Sequence, residues 1–206
     1  MMGHPICSRP SWKNLCVPFL IHGDGIACPQ CGRAGSKSFN VWSMQGLLAI
    51  GPTLLIKHYL FGVFKQTQCP ETMVHAMKIL TWSLKALLAG KWPRLDWNDV
   101  PFAPGAAEAA LASDNRDIAD GLFGVLFGVT GDLKFMHEDM RLRCVTAVDP
   151  CEWCPCHRDQ TRSLQCHVFN FAMGSLWKTA LFSVADWIAV SHGRHELFLA
   201  FDFLTH

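Results

Sequence analysis

The chain has 206 residues, half of them hydrophobic and 17% charged, with 18 basic against 17 acidic residues and a formal net charge of +1. That length suits one sizeable core and is short for two, and the near-balance of charge excludes a global field drawing the molecule to nucleic acid or anionic lipid. Ten cysteines and no signal-like apolar core in residues 1–10 lead us to expect a reducing intracellular compartment, nuclear or cytoplasmic. So much apolar composition with so little charge reads as deep burial, an oligomer surface or a missing piece of the same core, and we weight the last most.

Residues 1–13 are polar, contain Pro5 and Pro10, and are expected to be a flexible N-terminal segment. From 14 to 25 the sequence runs NLCVPFLIHGDG, an apolar strand in which Pro18 suggests an edge or early position and Gly23 and Gly25 break the strand around Asp24. Asp24 is thereby expected at the rim of a sheet, where α/β proteins place metal-binding and catalytic acids; the competing reading is an ordinary turn aspartate. His22 reads as a hydrogen-bonded residue ahead of a general base.

Residues 26–37 have loop composition, 38–44 alternate as a second strand paired with the first, and Gly51-Pro52 splits 46–56 into strand, turn and a new element. Residues 56–65 are ambiguous, with helix favoured. Pro70-Glu71 then opens a helix whose apolar face, Met73, Met77, Leu80, Leu84, Leu87 and Leu88, runs to a stop at Gly90. After a connecting stretch at 94–115, with a helical turn near 106–112, comes GLFGVLFGVTGD at 121–132, a second apolar run closing in Gly-Asp. A strand is favoured there over a helix whose glycines face a neighbour, and 133–140 follows as a short helix with Asp132 at its start.

Residues 144–167 form a cysteine-rich insert. Cys151-Glu152-Trp153-Cys154 is a two-thiolate knuckle followed by Cys156 and His157, and Cys28-Pro29-Gln30-Cys31-Gly32 is another. Tetrahedral Zn2+ needs four soft or borderline ligands, and a Cys-x-x-Cys turn supplies two at a suitable bite. Cys28, Cys31, Cys151, Cys154, Cys156 and His157 are therefore candidate zinc ligands, with unmetallated cysteines as the alternative. Asp24 and Asp132 are candidate Mg2+ ligands, since paired carboxylates can hold the ions that assist phosphodiester hydrolysis or strand transfer, although a third acid usually completes such a cage. The capped start at 183–186 and the apolar end at 201–206 close the chain.

An apolar strand closing in Asp24-Gly25, then Leu47-Leu48 with Gly51-Pro52, a strand closing at Asp132 and Cys151-x-x-Cys154, in that order, resembles the catalytic region of RNase H-like DDE/D transposases of the CACTA type and related transposon-derived protist proteins. The likeness covers residues 14–206 by motif order. It implies an α/β domain, a mixed sheet flanked by helices, with Mg2+ held by acidic residues and DNA ends cleaved and joined; Asp24 and Asp132 match the first two acidic positions. On that comparison the chain is expected to be a truncated copy, incomplete at its C-terminus and inactive by itself, with DNA as a partner. Its residues hold no uninterrupted apolar run long enough to span a bilayer, which leads us to expect no membrane role. A simple apolar α/β domain meeting a second copy or a partner at an open edge is a further reading. The alternative is a zinc-binding interaction module without catalytic activity.

Overall fold

A computed structural model describes residues 5–27, 38–64, 70–140, 142–144, 146–151 and 153–183. The described residues up to Gly131 form one compact unit and those from Asp132 another. The protein is mixed α/β, with a four-stranded mixed sheet and helices.

The first unit opens with a short 3₁₀ turn at Pro5–Ser8 and helix α1 (Trp12–Leu15), followed by strand β1 (Cys16–Ala27), β2 (Ser38–Gly46), the turn of helix α2 (Thr53–Ile56) and β3 (Lys57–Phe64). Helix α3 (Pro70–Ala89), helix α4 (Ala107–Ser113) and strand β4 (Phe123–Thr130) complete it. The strand order is β3-β2-β1-β4. β1, β2 and β3 form an antiparallel meander, whereas β4 joins the other side of β1 in parallel, from Cys16↔Phe123 to His22↔Thr130. Antiparallel neighbours need only a turn, but a parallel neighbour needs a crossover, and α3 lies within the connection.

Apolar spacing dictates what each element buries. In β1 Phe19 and Ile21 are buried at the period of two that one sheet face requires, and Trp42 of β2, which pairs with Gly23, is also fully enclosed. In α3 Met73, Met77, Leu80 and Leu84 recur at helical spacing and are all buried, each contributing about 1.5–3 kcal/mol of burial free energy. Gly90 ends the helix with φ of 72°, its N–H donating to the carbonyls of Ala86 and Leu87, a left-handed closure that favours glycine. Phe123 and Val125 of β4 form a buried cluster with Ile6, joined by Trp12, Leu15 and Leu88.

Three expectations need correction. β1 does not stop at Gly23-Asp24-Gly25; it runs to Ala27 because β2 accompanies it throughout, with Asp24 opposite Val41 and Ile26 opposite Phe39. Glycine in an extended strand with a partner is only a weak breaker. Residues 57–64 are a strand and not a helix, held by pairing to β2 from Gln45↔Lys57 to Phe39↔Phe64. Residues 14–15 belong to α1, so the strand begins at Cys16. Pro18 does sit early, in a central strand, opposite Val125. The capped start at 183–186 and the apolar end at 201–206 lie, but for Ser183, outside the described residues, as do Cys28 and Cys31.

Strand and helix meet most tightly at Gly124. A Cβ there would stand 2.8 Å from Cε1 of the buried Phe19 ring and 3.3 Å from Cβ of Leu87, whereas at Gly62 the nearest atoms are at 3.7 Å. Gly124→Ala is expected to destabilise the fold by about 1–3 kcal/mol, the usual cost of overpacking, and Gly62→Ala to change it by much less. Denaturant midpoints of the two variants compare them directly.

Candidate metal centre

Asp24 is exposed on β1 and follows the last β1–β4 pair by two residues, as Asp132 follows β4. At that last pair His22 Nδ1 meets Thr130 Oγ1 at 3.2 Å, which gives His22 the hydrogen-bonded role expected of it. Asp132 acts as N-cap of helix α5 (Leu133–Glu138), accepting the Phe135 N–H at 2.6 Å. Such a cap satisfies one of the helix's orphan amides and occupies one carboxylate oxygen.

The ligand-type residues gather in the second unit. Sγ atoms of Cys151, Cys154 and Cys156 all lie within 4.8 Å of one another, and among the described residues this is the one group of three or more His, Cys, Asp or Glu so placed. Zn–S bonds of about 2.3 Å put tetrahedral sulfurs roughly 3.8 Å apart, so the thiols are close to ligating separation. Local hydrogen bonds explain the arrangement. The Trp153 N–H donates to Cys151 Sγ at 3.3 Å, folding the knuckle so that an amide faces sulfur. Arg143 donates to the Cys151 carbonyl at 3.1 Å, and the Phe182 N–H donates to the Trp153 carbonyl at 2.9 Å. Arg162 and Asp149, paired at 2.5 Å, brace the flanking loop.

Burial pushes the Cys154 thiol up to about 12, with the adjacent Cys151 thiol adding to the rise, and burial likewise raises Cys156. Three close sulfurs disfavour accumulating negative charge unless a cation shares it. Cys144, the first cysteine of the insert, stands apart on an exposed loop, where hydrogen bonds from Thr146 lower its thiol.

His157, a predicted ligand, is not within the three-thiol group. It is buried, and it is bridged in parallel to His167, the two rings 5.8 Å apart at 85°. His167 was not among the candidate ligands. The signal for it was the repeated Cys-His dipeptide, Cys156-His157 and Cys166-His167, whose members the fold sets side by side.

No protein-family model, no curated protein and no solved structure matches the chain. No helix among the described residues is long and apolar enough to cross a membrane.

Because Cys154 and Cys156 hold their protons at neutral pH, zinc must displace them to bind. Calorimetric titration is expected to show proton release, as an apparent enthalpy that follows the ionisation heat of the buffer, and affinity that falls as pH is lowered. Cys154→Ser is expected to weaken binding by more than the roughly 10–100-fold that loss of an outer-shell partner costs.

Proposed function

We propose that the first unit is an RNase H-like frame of transposase descent, and that the chain does not cut DNA by itself. The observation that carries this reading is the pairing of β1 with β4: the strand bearing Asp24 and the strand that Asp132 follows are parallel neighbours in one mixed sheet. These are the two strands that the resemblance marks as acid-bearing, in a sheet of the mixed kind it implies. Mg2+ prefers carboxylate oxygen and keeps several waters, and the inherited chemistry would be metal-assisted attack on a phosphodiester. Two acids leave a two-metal cage short of a ligand, and one Asp132 oxygen already serves a helix cap.

Manganese, a paramagnetic substitute for Mg2+, tests the acid site. Millimolar Mn2+ is expected to broaden the amide resonances of β1 around Asp24, and Asp24→Asn to abolish the effect; unaffected β1 signals would sink the assignment. The purified chain is expected to leave supercoiled DNA intact with Mg2+. Nicking that vanishes in Asp24→Asn would overturn the inactivity.

A second reading, a zinc-binding interaction module, is favoured by what the second unit buries. Among its described residues Phe135, Met140, Cys154, Cys156, His157 and Ser175 are enclosed, while Leu164, Phe169, Phe171, Met173 and Leu181 are exposed. A small unit with so few apolar residues inside among those described gains from a staple, and zinc at the three thiols would supply one. Among the described strands β3 is at the edge of the sheet, with Tyr59 67% exposed, and this edge is where a partner or a second copy would add. Chelation of zinc from the full chain is then expected to collapse the dispersed NMR signals of residues 132–183 and to spare those of the sheet; a spectrum indifferent to chelator would remove this reading.

A further inference from the structure

We propose that the cavity between α3 and the sheet binds a small, uncharged, hydrocarbon-rich molecule whose one polar end meets His58; this rests on neither metal reading. The cavity has a volume of about 380 Å³, within the roughly 300–1,000 Å³ of small-molecule sites. At roughly 30 Å³ for each water-sized group, that is room for about a dozen non-hydrogen atoms. Strand register explains its floor. Val17 pairs with Gly124, Phe19 with Gly46 and Met44 with His58, and residues so paired share a sheet face. All six line the cavity, and Leu87 of α3 lines it too. Opposite Phe19, Gly46 presents no side chain, and a Cβ there would meet nothing nearer than Ala49 Cβ at 3.6 Å.

Chemistry narrows the occupant. Apart from His58, every described lining residue is apolar, so a charged ligand would lose its water without gaining a partner. The same scarcity argues against a peptide segment, whose amides and carbonyls need partners that the lining side chains do not supply. A hydrocarbon body needs none. The rim adds apolar surface that such a molecule takes out of water, since Val17, Leu122 and Leu55 are exposed, Leu55 by 71%. His58 is exposed as well. Its neutral ring carries one donor and one acceptor nitrogen, which suits a hydroxyl at the end of the molecule.

Fluorescence titration of the full chain with 1-N-phenylnaphthylamine, an uncharged apolar probe, tests the site. Emission is expected to rise and saturate at one probe per chain, and 1-decanol to displace the probe. Gly46→Val and Ala119→Phe add side chains at two different segments of the lining, each taking the room of two or more methylenes. Each is expected to weaken probe binding by about tenfold or more, with the denaturant midpoint showing which variants keep the fold. His58→Ala is expected to weaken 1-decanol by roughly fivefold, the worth of one hydrogen bond; an unchanged value overturns the polar end. No saturable binding by the wild-type chain overturns the site, as does a probe affinity that the folded filling variants leave unchanged. A wild-type dimer that Ala119→Phe converts to monomer would give the cavity to a second copy and overturn the small-molecule ligand.

Discussion

The parallel pairing of β1 with β4 is the constraint from which the first unit follows. A meander of three antiparallel strands could have remained a simple sheet, but placing β4 on the far side of β1 obliges the chain to leave the sheet after β3 and return in the same direction. α3 makes that return, and it can lie close only because Gly124 gives room to Phe19 and Leu87. Its own end must then turn sharply. Gly90 does so, with Leu122 and Phe123 only 3.2 Å from where a Cβ would be. Two glycines thus set how near helix and strand can approach.

The second unit is organised on another principle. Apolar burial stabilises a domain in proportion to the area removed from water, and here much of the apolar side-chain surface stays outside: Met173 is 97% exposed and Phe171 71%. What is inside is chemically able to bind a cation. Buried thiols and an imidazole are polar groups, and each must find a partner. Burial raises the Cys154 thiol, and a shared cation would favour its ionised form.

How much of this the sequence discloses depends on how local each cause is. α3 was legible because its signals are local: Pro70, Glu71, a face repeating at helical spacing and Gly90. β4 was legible because four consecutive residues, Phe123 to Leu126, are buried and favour strand on both faces. β3 was not. It is an outer strand whose His58, Tyr59 and Leu60 are all exposed, so no alternation marks it, and only β2 determines its conformation. β1's extension through Gly23 and Gly25 was hidden for the same reason. The thiol group was legible in the Cys-x-x-Cys-x-Cys spacing, but the enclosure of His157 beside His167 was not, because it depends on the pairing of two segments.

The two candidate metal chemistries differ in what they ask of the chain, and that difference orders them. Hard Mg2+ at carboxylates binds from water with little folding free energy, so Asp24 and Asp132 can be well placed or badly placed without consequence for the sheet beneath them. Soft thiolates that close on Zn2+ couple binding to folding, because the ligands are assembled only when the chain around them is ordered. Decay of an ancestral catalytic function would therefore leave the two sites with different fates. On the proposed reading, loss of Mg2+ binding would remove a reaction and spare the structure, whereas loss of the thiol site would remove a staple. On these grounds the proposed inactive frame and the proposed zinc-held unit are compatible parts of one molecule.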